Sequence, residues 1–339
     1  MTFDSYTKNE IQYGIAKQTT WGTGLATGFV LLDIEPTVID PKINMRRPNR
    51  AGPPYRHRIY QVSTIHDYKG SAPTVAIRGI AKKDEIDLFL YSVIGGVSEG
   101  VTTPYTKTLT FPSTPGALQP DFTASEGCFF TFVKLMPDKT KSQRIIDCIC
   151  TELTLHCSPD GDDAMIYFEA TLMGRGEWES DVDLSSASFQ RSGADDSDYY
   201  YFHDIKTFSG AGNALDPLGL TMTFKNNAKP TGVEKSSGKF LSYTLGRPYE
   251  LEFKPTVVWD ANSRTTQMAT QGTVTHSWIL EWGTAGADGH LKFTIQGQPG
   301  PAPDADGDTN SIEFTVDAQQ AGATAPVTVL LANAIDRTW

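Results

Sequence analysis

The sequence predicts an all-β protein with one short helix per domain, built as two tandem units. Three observations predict this. Residues 313–339 align without a gap onto residues 152–178. Glu152/Glu313, Thr154/Thr315, Gly161/Gly322, Ala164/Ala325 and Trp178/Trp339 are identical, and the apolar alternation stays in phase. Residues 70–84 align in the same way onto residues 246–260, where Val75 and Ile77 fall on Leu251 and Phe253. Such self-similarity is the mark of one unit used twice. The composition is the third observation: 30 Gly and 20 Pro scattered among period-2 apolar residues favour many short strands joined by turns.

The length of 339 residues gives room for about two domains. No apolar run approaches the ~18 residues of a transmembrane helix. The first residues, MTFDSYTKNEIQYG, lack a basic segment followed by an apolar one, so the expectation is a cytoplasmic start. A net charge of -11 argues against wrapping nucleic acid, which needs Lys and Arg for phosphate.

Taken in chain order, residues 1–28 form an extended arm and 29–34 a strand. Residues 44–60 hold Arg46, Arg47, Arg50, Arg56 and Arg58 among three prolines. Proline removes backbone donors, so this is a long basic loop suited to docking on an acidic surface. Residues 72–81 alternate as a strand. Residues 82–94 space their apolar side chains as a helix, with Asp84 as N-cap and Gly95-Gly96 as the stop. Strands follow at 106–111, 128–135 and 144–156, then a turn at Asp160-Gly161 and a returning strand at 165–172. Residues 177–198 (WESDVDLSSASFQRSGADDSD at their core) are rich in Ser and Asp and lack a core pattern, which predicts a linker. Beyond it, Leu218, Leu220, Met222 and Phe224 alternate as a strand. Residues 251–259 form the repeat of the 75-onward strand, 262–271 a second short helix, and 277–282, 290–296, 311–316 and 327–331 further strands.

Candidate chemistry is sparse. None of the six histidines, His57, His66, His156, His203, His276 and His290, sits in a nucleophile elbow or a zinc pattern. Cys128, Cys148, Cys150 and Cys157 are poorly spaced for zinc and read as small buried side chains, with His156 beside Cys157 the single hint of a metal. Residues 304–310 (DADGDTN) imitate a calcium loop, but Thr315 stands where the bidentate Glu belongs, so an acidic turn is expected. The prediction is therefore no enzyme, no cofactor and no metal.

The segment Gly14-Ile15-Ala16-Lys17-Gln18-Thr19-Thr20-Trp21-Gly22-Thr23 resembles the G-x-x-x-E-x-x-x-G-T opening of tail tube (major tail) proteins of long-tailed bacteriophages, with Gln18 in place of Glu. The 72–81 strand with its following helix, and the 153–173 hairpin ending at Gly174, also look like that family. The resemblance covers most of the first half and, through the repeat, the second.

The resemblance implies two tandem tail-tube β-sandwich, barrel-forming domains: residues 1–180 with the arm and basic loop, an acidic linker at 181–198, and residues 199–339. Sheets of neighbouring subunits would join around a lumen, and rings would stack into the conduit for genome ejection. An acidic wall would let DNA pass without binding. Two domains per chain predict a ring of three copies with pseudo-sixfold symmetry; the competitor is a hexamer whose second domain decorates the outside. Partners implied are further copies of the chain, the tape measure protein and the tail terminator, in a virion tail assembled in the host cytoplasm. The alternative reading is a β-sandwich binding module, an adhesin or capsid decoration protein, with Tyr199, Tyr200, Tyr201 and Trp278 as a sugar platform; a hydrolase is a third.

Overall fold

Alternation becomes strands, and the strands pair across the chain's midpoint. A computed structural model describes residues 11–18, 20–32, 73–111, 129–159, 164–175, 179–191, 199–233, 240–244, 250–270, 275–299, 311–319 and 324–334. The first half holds β1 (Gln12–Lys17), β2 (Phe29–Leu32), β3 (Thr74–Ile80), α1 (Ile86–Ile94), β4 (Val97–Glu99), β5 (Tyr105–Thr110), β6 (Phe130–Leu135), β7 (Ser142–Cys157), β8 (Tyr167–Met173), β9 (Glu179–Val182) and β10 (Phe189–Arg191). The second holds β11 (Ile205–Gly210), β12 (Asn213–Ala214), β13 (Pro217–Lys225), β14 (Lys229–Val233), β15 (Phe240–Thr244), β16 (Glu250–Val258), α2 (Ala261–Thr270), β17 (His276–Trp282), β18 (His290–Pro299), β19 (Ser311–Glu313), β20 (Val316–Ala318) and β21 (Val327–Asn333). The fold is thus mostly β with two short helices.

A central antiparallel sheet runs β3, β8, the second part of β7, β13, β16, and then β19 and β20 end to end along β16. Its inner face buries Ile77, Phe168, Leu155, Met222 and Phe253 in one core that serves both halves. Each such side chain contributes about 1.5–3 kcal/mol on burial. Over the core lies a second layer, β11-β17-β18-β21-β5-β4. Here β5 of the first half pairs with β21 of the second. The first part of β7 turns away into a third group of strands with β6, β1, β2 and β9. The turning point is Asp147, a non-glycine residue at φ 52.

α1 is buried on all sides, including Asp87 and Ser92, because it lies between the central sheet and β5. It begins after Glu85 rather than at the expected Asp84 cap, and no side chain caps it. Gly95, at φ 81, closes it by donating its N–H to the Tyr91 carbonyl. One buried charge network joins the halves: Lys107 Nζ lies 2.8 Å from Asp87 Oδ2 and 2.8 Å from Asn333 Oδ1.

Several expectations are corrected. The Ser- and Asp-rich stretch is not featureless: β9 pairs with β7, β10 pairs in parallel with β2, and Leu184 between them is buried. Leu218 does not share the face of Leu220, because the register shifts between Pro217 and Gly219 and leaves Leu218 exposed. The 313–339 match onto 152–178 is not an equivalence of position. The end of β7 pairs with β8 and β13, but β19 and β20 pair with β16; β8 pairs with β3 and β7, but β21 pairs with β18 and β5. β3 and β16, the strands of the shorter match, both lie in the central sheet and both precede a helix.

Candidate functional site: the polar face of the central sheet

Side chains on a strand alternate between faces, so the buried inner face of the central sheet implies an outer face of the intervening residues. The strand registers set these in transverse rows. The middle row runs Arg78, Glu169, Thr154, Thr223, Glu252, Asp317, each residue opposite the next. On one side lies Ala76, Thr171, Glu152, Lys225, Glu250, and on the other Ile80, Tyr167, His156, Thr221, Lys254. The face is a carpet of Thr and charge that continues unbroken from the first half of the chain into the second. Glu313 stands opposite Thr256 at its far edge.

The seam between the halves is β7 against β13, and three side-chain contacts cross it on this face. Thr154 Oγ1 and Thr223 Oγ1 share a hydrogen bond of 3.2 Å, His156 Nδ1 meets Thr221 Oγ1 at 3.3 Å, and Lys225 Nζ lies 3.0 Å from Glu152 Oε1. Beneath the seam the buried Asn226 donates to the Cys150 carbonyl at 2.7 Å. That bond satisfies the backbone where β7 bulges between Cys150 and Glu152.

The charges are unequal. Glu152, Glu169, Glu250, Glu252, Glu313 and Asp317 carry carboxylates, against the bases Arg78, Lys225 and Lys254. Arg78 Nε is 3.6 Å from Glu169 Oε1, and Lys254 Nζ is 2.9 Å from Glu252 Oε1. The hydrogen bond to Glu252 holds the Lys254 ammonium above its ordinary value, against desolvation, and the charges of Glu252, Glu313 and Asp317 add to the rise.

The residues of the opening motif converge on Asp147. Gln18, buried, donates from Nε2 to Asp147 Oδ1 and accepts the Asp147 backbone N–H at 3.1 Å. Gly22, at φ 78, donates its N–H to the same carboxylate at 2.9 Å. Gly14 lets β1 approach β2: an added Cβ would lie 3.2 Å from the Val30 carbonyl oxygen. The motif therefore fastens the N-terminal loop to the bend in β7.

Other expected site residues divide as follows. Arg46, Arg47, Arg50, Arg56 and Arg58, like residues 304–310, lie outside the described residues. Tyr200 and Trp278 are buried in the core, so they make no exposed sugar platform. Cys148, Cys150 and Cys157 are buried thiols, and burial pushes all three above their ordinary value, Cys157 to about 12. Among the described residues no group of three His, Cys, Asp or Glu is placed to hold a metal. Sequence reasoning missed the seam. Its signal was the Thr and Glu alternating with core residues on β7, β13 and β16, but pairing partners cannot be read from one strand alone.

The central sheet thus has one dry face and one polar face that runs through both halves of the chain. The family model described as phage tail tube protein matches residues 8–329, and the chain belongs to that family. It is a non-catalytic, structural component of the bacteriophage virion tail. No curated protein matches the chain.

Proposed function

We propose that the polar face of the central sheet lines the bore of the tail tube, that each chain supplies two of the six units around it, and that three chains close a ring. The observation that carries this reading is the unbroken run of that face across the β7–β13 seam. The two units are supported by the order of pairing. In the first half β3, α1, β6, β7 and β8 come in that order, with β4 and β5 inserted after α1 and with β7 pairing β6, β8 and β9. In the second half β16, α2, β17, β18 and β20 follow in the same order, with β18 pairing β17, β20 and β21. β1 on β6 is matched by β11 on β17. This order supports units at about residues 1–180 and 199–339, with β8 corresponding to β19–β20 and β9 to β21.

Among the described strands β3 pairs with β8 alone, so its other edge is where a neighbour's sheet extends this one and removes the exposed edge. The excess of carboxylates on the wall lets DNA pass. The arginines of the 44–60 loop dock on carboxylates of an adjacent ring or subunit. The bore holds the tape measure protein before ejection, the tail terminator closes the end of the tube, and assembly takes place in the host cytoplasm.

Electron cryomicroscopy of assembled tubes tests this, with a Thr223→Cys variant alongside. The expected result is three chains per ring and a cysteine that reacts in tubes with a small maleimide but not with one too bulky to enter the bore. Six chains per ring, or equal labelling by both reagents, overturns it.

A further inference from the structure

We infer that Glu152, Glu169 and Glu252 keep the tube wall from holding nucleic acid by occupying its cations, and not only by adding negative charge. The inference rests on the reading of this face as the bore.

Arg78, Lys225 and Lys254 are the lysines and arginines of the face among the described residues. All three are reachable from solvent, with side chains 52%, 40% and 38% exposed. They lie on β3, β13 and β16, four strand steps from first to last, so they span about 19 Å of the wall. Three accessible cations over that distance would give a passing phosphate backbone several points of contact. Each, however, has one of the three glutamates within 3.6 Å. The partner is fixed to the sheet: Glu169 opposite Arg78, Glu152 opposite Lys225 across the seam, and Glu252 two residues before Lys254 on the same strand. A phosphate approaching any of these bases meets a tethered carboxylate already in place. The couple brings no net charge to the phosphate and releases no counterion from it.

Mere repulsion makes a different prediction, because Glu250, Glu313 and Asp317 contribute the same charge to the same face. Two variants of the full-length, unassembled chain separate the ideas. Glu152→Gln/Glu169→Gln/Glu252→Gln frees the bases. Glu250→Gln/Glu313→Gln/Asp317→Asn changes the charge equally and leaves the couples intact. The probe is a short fluorescent DNA duplex, followed by anisotropy as salt is raised.

The expected result is binding by the first variant alone. Its slope against salt is about -0.9 per freed cation, which amounts to a loss of about 40-fold between about 50 mM and about 200 mM salt. Adding Arg78→Gln/Lys225→Gln/Lys254→Gln to that variant returns binding to the wild-type level, which guards against a misfolded chain binding by other means. Equal binding by both triple variants overturns the inference in favour of repulsion. Absence of binding by the first, or its persistence once the bases are gone, also overturns it. Failure of the bore reading is seen separately, in the labelling of Thr223→Cys in tubes.

Discussion

Gln18 and Asp147 form a reciprocal pair 129 positions apart: the Gln18 amide donates to the Asp147 carboxylate and its carbonyl accepts the Asp147 backbone N–H. Thr131 Oγ1 donates to the same Gln18 carbonyl at 3.0 Å. The tube-protein pattern has Glu at this position. Here a Glu would set a second carboxylate against a buried one, and an amide is the side chain that can both donate and accept.

Gln18→Glu is therefore expected to destabilise the chain by about 1–3 kcal/mol at neutral pH, the cost of losing a buried donor to a charged acceptor. Denaturant unfolding measures it, and the loss should shrink in acid as one carboxyl takes a proton.

Asp147 itself gives the wild type a pH dependence. Burial raises its carboxyl above the ordinary 3.8, outweighing the hydrogen bonds from Gly22 and Gln18 and the charge of Arg175. A raised acid contributes its stability fully below its unfolded value and loses it as pH climbs through the folded one. Asp147→Asn should flatten unfolding free energy against pH from about 3.8 upward; an unchanged curve would mean another group sets it.

Lys107→Met removes the buried cation from between Asp87 and Asn333. Lys107 Nζ also lies 3.7 Å from Glu99 Oε1, so leaving both carboxylates without their charge partner is expected to cost about 3–5 kcal/mol, and Lys107→Met/Asp87→Leu should recover part of it. Thermal melts of the single and double variants decide the matter.

At alkaline pH the buried thiols take over. Cys157 has an ordinary value of 9.0 and is held up to about 12 by burial. Its contribution is present below about pH 9.0 and lost as pH rises towards about 12. Cys157→Val should lessen the alkaline decline, measured as midpoint against pH.

Changing Arg46, Arg47 and Arg50 to Glu should block polymerisation while the chain stays folded. Single exposed pairs give only ~0–1 kcal/mol, so the effect is cumulative. Sedimentation and circular dichroism read the two outcomes, and normal tubes from the variant would remove the loop from the interface.

Most of the longer strands and both helices were legible because their signals are local; β1, which the sequence suggests as part of an extended arm, was not. Period-2 alternation at Met222 and Phe224, or helical spacing from Ile86 to Ile94, needs no knowledge of partners. What escaped was set by partners. The bulge that turns Leu218 outward comes from its register against β16. β9 and β10 are short polar strands whose pairing on β7 and β2 outweighs their weak intrinsic preference. The in-phase match of 313–339 onto 152–178 was real alternation, but alternation is common to every half-buried strand and does not say which neighbour a strand takes. The polar face was visible residue by residue as Thr and Glu; that it forms one surface is a property of the seam.

The pairing of β5 with β21 has a consequence for the birth of the molecule. Thr108 lies opposite Leu330, so a hairpin made early in synthesis waits for a strand about 220 residues further along before its edge is covered. The α1 segment, which Asn333 reaches through Asp87, waits with it. Such long-range closure makes folding slow and leaves apolar surface open on the ribosome. A tube subunit whose second layer waits for β21 has no finished surface to polymerise on before that strand is made.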